Sequence, residues 1–199
     1  MTDIFHTHLG DTPLSEEETL DLIPSLSTQR ELNEFEFLNI RAAAEWASSP
    51  RRFAKAEFIN ASYLFELHRR MFNATWRWAG RVRTSEKTIG VTPARIQPDL
   101  AVLLGDVKFW IEHETYSPDE IAVRFHHRLV FIQLFPNGNG RHSRLVTDLL
   151  ARKLGRPSFS WGRGTDAPEN IRQQYLAALR AADNQDYAAL FSLSRAGSL

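Results

Sequence analysis

Residues 135–144 combine residue types that can hold a phosphate group: the segment reads Phe-Pro-Asn-Gly-Asn-Gly-Arg-His-Ser-Arg. Gly138 and Gly140 remove Cβ atoms where the backbone must bend with several N–H groups pointing one way. A helix that begins near Gly140 adds the positive end of its dipole. Arg141 and Arg144 follow within one helical turn, and guanidinium groups bind phosphate through paired hydrogen bonds. The segment therefore predicts an anion site. A plain turn between two helices is the alternative, because Pro-Asn-Gly is also turn chemistry.

Two helices must position this segment. Ser117 followed three residues later by Glu120 is a helix start in which the serine caps the first turn. Residues 121–134 are apolar nearly all round, which is typical of a buried central helix. That helix must end before Pro136, because proline disfavours helix in the residue that precedes it. A second helix is expected from the corner to about Lys153, so the glycines lie between two helices.

The rest of the chain is also predicted to be mainly helical. Apolar residues at helical spacing predict helices over about 14–22, 31–46, 56–75, 99–113, 168–182 and 187–194. Pro93 and Pro98 are expected to bracket a turn. Residues 81–91 lack helical spacing and carry β-branched residues, so they predict a short β-hairpin. The expected fold class is all-α with one small hairpin.

Composition excludes several kinds of function. The chain has 199 residues, the size of one domain or of one domain with an extension. It carries 24 basic and 24 acidic side chains, so a general electrostatic surface for nucleic acid is missing. Without cysteine there is no disulfide framework and no thiolate zinc site, and a cytoplasmic location is expected. Residues 1–6 lack the basic start and apolar run of a leader, and no segment approaches the ~20 apolar residues that span a membrane.

Residues 133–144 resemble the signature of Fic-domain proteins, His-x-Phe-x-(Asp/Glu)-Gly-Asn-Gly-Arg-x-x-Arg. Gln133 stands where the family has its histidine, and Asn137 stands where it has a metal-binding carboxylate. The second half, from Gly138 to Arg144, matches throughout. The resemblance implies a Fic-type helical bundle with a β-hairpin flap. It also implies a Fic (Fido) domain over residues 56–199 and an N-terminal helical extension over residues 1–55 packed on it.

The resemblance implies specific roles for the motif residues. Fic proteins typically transfer AMP from ATP to a hydroxyl of a target protein. The family's histidine takes the hydroxyl proton, the acidic residue holds Mg²⁺ on the phosphates, the Gly-Asn-Gly amides cradle the anion and the last arginine grips the outer phosphates. By position these roles fall on Gln133, on Asn137, on Gly138, Asn139 and Gly140, and on Arg144, with Arg141 beside them.

The departures from the signature at positions 133 and 137 should affect catalysis more than nucleotide binding. Glutamine can hydrogen-bond a hydroxyl but cannot take its proton, and general-base assistance is typically worth ~10²–10⁴-fold. At position 137 a neutral amide weakens Mg²⁺ binding without forbidding it, since the metal is held largely by waters and phosphates. We therefore expect a protein that binds ATP but whose transfer activity is lost or strongly reduced. Two alternatives stay open: an active nucleotidyl or phosphoryl transferase that uses another base such as His142, and a protein-interaction module that needs no nucleotide.

Two further segments resemble parts of Fic proteins. Residues 78–91 resemble the flap that docks a target protein, with Thr84, Thr88, Ile89, Gly90 and Val91 as its contact residues. Ser27 and Glu31 resemble an inhibitory helix in which the glutamate pairs with the motif's second arginine, here Arg144. An ordinary helix cap explains the same pair equally well. The N-terminal part is similar to the branch called mobile mystery protein B, which implies a small helix-turn-helix partner protein.

Overall fold

The structure, a computed structural model, describes residues 13–197, so residues 1–6 and the first part of the predicted extension lie outside the described residues. Within that range the chain forms nine α-helices. They are α1 (Glu16–Thr19), α2 (Gln29–Ser48), α3 (Pro50–Lys55), α4 (Ala61–Phe72), α5 (Pro93–Glu112), α6 (Pro118–Ile132), α7 (Asn139–Lys153), α8 (Pro168–Asp183) and α9 (Ala188–Arg195). None of these helices is both long and apolar enough to cross a membrane.

The centre of the fold is the pair α6 and α7. The Ser117 side chain accepts the Glu120 N–H at 3.3 Å, which starts α6 as its sequence predicts. The apolar residues of α6 are buried, Phe125 and Leu129 among them, because α5, α7 and α9 pack around the helix. A second cluster, in which Tyr187 takes part, covers the other side of α6 through α8 and α9. The α6–α7 connection is thus held between packed helices.

Helix α2 packs on α4 and α7 and shares their core. Its residues Leu32, Ala43 and Ala47 are buried in the same cluster as the residues of α4 and α6. Asn39 of α2 also accepts the Ala74 N–H at 2.9 Å, which ties α2 to the segment after α4. This contact surface places α2 directly beside the chain segment that leads into α7.

The predicted β-hairpin at residues 81–91 is wrong, because these residues form no strands. Hydrogen bonds from the buried Arg83 side chain hold this segment where a hairpin would have backbone hydrogen bonds between strands. The guanidinium donates to the carbonyl of Ser85 at 2.8 Å and to that of Val91. Its backbone N–H donates to Leu134 at 3.0 Å. The segment is therefore closed into a loop by a side chain, and we keep the name flap for residues 81–91.

A second correction concerns the start of α5. The helix begins at Pro93, with Thr92 as its N-cap, and continues through Pro98, where a turn was expected. Proline suits the first helical position since the N–H there has no helical partner. At Pro98 one backbone hydrogen bond is lost, and Ala94, whose carbonyl is freed, is exposed, so this carbonyl has room to meet water.

Three histidines are fully enclosed in the helical core: His68, His126 and His142 are at most 1% exposed. Burial lowers the pKa of His126 to about 3 and that of His142 to about 4, and it lowers the pKa of His68 well below its ordinary value. All three are therefore neutral in the folded protein near pH 7. Burial acts in the opposite sense on the carboxyl of Asp148 and raises its pKa to about 6.

These shifts predict that the protein loses stability as the pH falls from about 6.5 to about 4. In that window the unfolded chain binds protons on three histidines that the folded chain keeps neutral, so unfolding is favoured. Asp148 opposes the trend, since its folded pKa is raised, but it offsets only one of the three protons. Each uncompensated histidine costs about 1.4 kcal/mol per pH unit.

Urea unfolding at pH 7, 6 and 5 measures this slope. A His142→Gln variant should show a shallower dependence on pH than the unchanged chain, whatever its absolute stability. A free energy of unfolding that stays level across this range would contradict the prediction.

Candidate functional site

The corner between α6 and α7 is closed by a buried asparagine. Gln133 ends α6 with a left-handed backbone, φ +55°, and Gly138 precedes α7 with φ +77°. The Asn139 side chain accepts the Phe135 N–H at 2.9 Å and donates to the Phe135 carbonyl at 2.8 Å. Because both ends of one amide bind the same residue, the path of the loop is fixed before any ligand arrives.

The two glycines of the corner face opposite surroundings. A Cβ added at Gly138 would lie 2.5 Å from the Phe72 ring, so this glycine closes the corner against the core. A Cβ added at Gly140 would meet nothing within 4 Å. The corner therefore has a packed inner side at Gly138 and an open outer side at Gly140.

The open side presents the first turn of α7. The backbone N–H groups of Asn139, Gly140 and Arg141 have no acceptor within residues 13–197. They are the unpaired donors that every helix start leaves, and they carry the positive end of the helix dipole. Such a set of amides binds phosphate oxygens.

Arg144 lies one turn after Gly140, on the same side of α7. Its guanidinium stacks over the Tyr175 ring, 5.2 Å from the ring centroid. Among the described residues it forms no salt bridge with a carboxylate. Its charge is thus available to an anion bound at the helix start.

Arg141 is engaged on the inner side of the corner instead. It pairs with Glu36 of α2, donates to the Asn137 side-chain oxygen at 3.2 Å and lies over the Phe72 ring. Glu36 is buried and also accepts the Trp76 indole N–H at 2.7 Å. The structure places Arg141 as a support of the corner that reaches from α7 to α2.

His68 supports the same corner from the core and was missed by the sequence analysis. Its Nδ1 accepts the Gly80 N–H at 3.0 Å, so the proton sits on Nε2, which donates to the Asn137 carbonyl at 3.1 Å. The ring stacks on Phe135 with centroids 3.6 Å apart. Its one sequence signal is a histidine on the apolar face of α4.

Gln133 lies beneath the flap. Its side-chain nitrogen donates to the Val130 carbonyl at 2.9 Å, and its own carbonyl accepts from Arg83 at 2.6 Å. A Cβ added at Gly90 would lie 2.7 Å from the Gln133 Cβ, so the flap backbone rests on this side chain. The position that the motif assigns to a proton acceptor thus holds a buried, uncharged amide.

The donor set at Asn137 does not suit a protein-held metal. Its side-chain oxygen accepts the Gly138 N–H at 2.6 Å and also the Arg141 guanidinium, so a cation already occupies that side. Within residues 13–197 no group of three or more histidine or acidic residues is placed to hold a metal ion. The residues present therefore do not fit a Mg²⁺ ion bound by the protein alone.

His142 is not placed to act as a substitute base. Its Nε2 lies 3.0 Å from the Leu64 carbonyl, and its ring packs edge-on against Phe135 and His68 in the core. General-base catalysis needs hydrogen-bond reach to the substrate, which this orientation denies. His126 is equally enclosed, 2.8 Å from the Tyr175 hydroxyl.

The predicted inhibitory pair of Glu31 and Arg144 does not form in this structure. The exposed Glu31 carboxylate accepts the N–H groups of Ser27 at 2.8 Å and Thr28 at 3.0 Å, and so caps α2. Of the two explanations offered for Ser27 and Glu31, the structure shows the helix cap. The predicted docking residues of the flap are at the surface, with Val91 half-buried: Thr84, Thr88, Ile89, Gly90 and Val91.

Comparison with known proteins identifies this arrangement. The model of the Fic/DOC family matches residues 58–151. A protein adenylyltransferase of Caenorhabditis elegans, fic-1, is 31% identical over 171 residues, which cover 83% of this chain and 32% of the relative. The corresponding protein of Aedes aegypti is 29% identical over 126 residues, which cover 61% of this chain and 25% of the relative. The chain thus spans about a third or less of the length of these relatives.

Solved structures agree with the family match. The C. elegans Fic-1 fragment of residues 134–508 with the substitution E274G is 26% identical, covers 89% of this chain and 51% of that chain, and has a TM-score of 0.65. BepC of Bartonella tribocorum, solved with bound AMPPNP, is 17% identical, covers 91% of this chain and 97% of that chain, and shares the fold with a TM-score of 0.69. The helices around the corner are those of this fold, and residues 58–151 form a Fic domain.

Proposed function

We propose that this protein binds ATP with its phosphates at the start of α7, and that transfer of AMP to a target hydroxyl is lost or strongly reduced. The observation that carries the proposal is the contrast within one corner. An open set of N–H groups lies one turn before Arg144, which forms no salt bridge with a carboxylate among the described residues, whereas position 133 holds an amide bonded to the Val130 carbonyl. The chain keeps the parts that hold phosphate and lacks the part that takes a proton.

Three features support nucleotide binding. The amides of residues 139–141 have no acceptor among the described residues, Gly140 leaves room for a phosphate to approach, and Arg144 supplies positive charge one turn along α7. Among the proteins of the same fold, BepC carries AMPPNP and a Bartonella quintana Fic domain carries ADP. ATP is the ligand that suits both the site and the adenylyltransferase relatives.

The chemistry of transfer explains the proposed loss. A target hydroxyl attacks the α-phosphorus, the bond to the β-phosphate oxygen breaks and pyrophosphate leaves. The hydroxyl proton needs an acceptor, which Gln133 cannot be, and losing such a base typically costs ~10²–10⁴-fold. The amides at the start of α7 still stabilise the developing charge, so a slow residual transfer is compatible with the site.

A target protein is proposed to dock along the flap. Ile89 at the flap tip is 46% exposed, and the flap lies over Gln133, so a segment bound there would lie next to the nucleotide. A small helix-turn-helix partner protein, expected from the likeness to mobile mystery protein B, remains a prediction. Neither partner is needed for the measurements below to test nucleotide binding.

Restoring the histidine should restore transfer. We expect the Gln133→His variant, incubated with α-phosphate-labelled ATP, magnesium and a cell lysate, to label protein, while the unchanged chain labels at least ~100-fold more slowly. A Gln133→Ala variant serves as a matched control and should stay as slow as the unchanged chain. Equal labelling by the unchanged chain and the histidine variant would refute the proposed loss of activity.

Replacing Arg144 should weaken ATP binding. Calorimetric titration of Arg144→Gln is expected to show a dissociation constant about 10–100-fold higher, which corresponds to about 1.4–2.7 kcal/mol. Arg152→Gln is the matched control, because Arg152 lies on the same helix but contacts Ser48 and Phe53. Equal loss in both variants would point to a general charge effect and against a specific site.

Substitutions at the two glycines should affect the stability of the protein and its binding of ATP differently. Gly138→Ala forces a left-handed backbone on alanine and pushes its Cβ into Phe72, so we expect a loss of about 2–4 kcal/mol in the free energy of unfolding. Gly140→Ala should leave stability equal or slightly higher, because alanine favours helix by about 1 kcal/mol.

For ATP affinity, the larger loss should occur in Gly140→Ala. The Cβ at position 140 would stand where the phosphate is proposed to lie, so ATP affinity should fall in Gly140→Ala although the protein stays folded. Thermal melts with and without ATP measure both quantities. A Gly140→Ala variant that binds ATP as tightly as the unchanged chain would place the phosphates elsewhere.

A further inference from the structure

The outward face of α2 carries a regular pattern that the nucleotide site does not use. Six exposed residues lie on this face at helical spacing, and we call them the outer stripe: Arg30, Glu34, Phe37, Leu38, Arg41 and Glu45. They lie opposite Leu32, Ala43 and Ala47, which face the core. The stripe is thus the side of α2 that points away from the rest of the described chain.

The centre of the outer stripe is apolar and accessible. Phe37 is 63% exposed and Leu38 is 57% exposed, and they are adjacent in the chain. More than half of each residue is therefore left accessible by residues 13–197. Adjacent large apolar side chains at the middle of an exposed helix face are the usual core of a binding surface, whereas single exposed apolar residues are ordinary.

The charges on either side make the stripe complementary to itself. Glu34 and Arg41 lie at equal distances on either side of the midpoint between Phe37 and Leu38. Arg30 and Glu45 lie farther out, again at equal distances. A two-fold axis at this midpoint therefore brings each acidic residue of one helix opposite a basic residue of an antiparallel copy.

We infer that a second copy of this chain docks on the outer stripe through an antiparallel α2–α2 contact. Glu34 then faces Arg41 of the second copy and Arg30 faces Glu45, while Phe37 meets Phe37 and Leu38 meets Leu38 near the axis. A parallel pairing would set Glu34 against Glu34 and Arg41 against Arg41, which repel. The pattern thus selects both the occupant and its direction.

The strength of the contact follows from its size and polarity. One helix face buries less than the ~1,200 Å² found in standard interfaces, so the dimer should be weak and concentration-dependent. Arg41 already pairs with Glu45 within its own helix at 3.0 Å, with both side chains 67% exposed. Each can therefore turn to the second copy without leaving a buried charge.

Sedimentation equilibrium of the full chain over a range of concentrations tests the inference. We expect a monomer–dimer equilibrium that weakens when salt is raised, with a dissociation constant at least ~10-fold higher in Phe37→Glu, because a charge at the axis meets its own copy. Val102→Glu is the matched control, since Val102 is 55% exposed on α5, outside the stripe. Circular dichroism melts verify that each variant is folded.

Charge reversal gives the sharper test. Glu34→Arg and Arg41→Glu should each weaken the homodimer at least ~10-fold, and mixing the two variants should restore dimer, because arginine then meets glutamate at every contact. A chain that stays monomeric at all concentrations, or a dimer that Phe37→Glu leaves intact, would overturn the inference. So would a mixture of the two reversed chains that fails to associate. The inference does not rest on nucleotide binding.

Discussion

The buried Arg83 guanidinium is the contact on which the geometry around the corner depends. Its hydrogen bonds go to backbone carbonyl oxygens at the end of α6, at Ile132 and Gln133, and in the flap, at Ser85 and Val91. The last carbonyls of a helix lack helical partners and carry its negative end, so a cation there is favourable. One side chain thus ends α6, closes the flap and fixes where residue 133 leaves the helix. Because burial of a charge is costly without such partners, flap and helix end are stable only together.

Apart from this contact, residues 138–144 of the motif fall into two groups, one on the inner side and one on the outer side of the corner. On the inner side, Gly138 packs on Phe72, Asn139 closes the loop, and Arg141 pairs with Glu36 of α2. On the outer side, a Cβ added at Gly140 would meet no atom, and Arg144 stacks on Tyr175. The two glycines, and likewise the two arginines, therefore have different roles, because they lie at different positions around the start of α7. Contacts on the inner side hold the outer groups in place before a ligand binds, and such preorganisation lowers the entropic cost of binding.

Local sequence chemistry was enough for the corner and for most of the helices, although it missed α3 and the first turns of α5, and it did not show what holds the corner in place. Ser117 and Glu120 mark the start of α6 because capping acts between residues three apart. The flap was mistaken for a hairpin, because β-branched residues indicate strands only where a ladder partner exists, and here Arg83 supplies the bonds. His68 and Glu36 could not be found from spacing, since their contacts join residues 69 and 105 positions apart. The orientation of His142 was likewise decided by packing against α4.

The corner and the side chain at position 133 can also be changed independently by mutation of the gene. The corner is held by His68, Asn139 and Arg83, whose contacts use the backbone of Gln133 or none of it. A codon for glutamine becomes a codon for histidine by a change of its third base alone. At position 133, one base change therefore separates this chain from the histidine of the Fic signature that residues 133–144 resemble. The corner, by contrast, depends on contacts of Glu36, His68, Arg83 and Asn139, which are encoded in four separate stretches of the gene, so a substitution in any of them can disturb it.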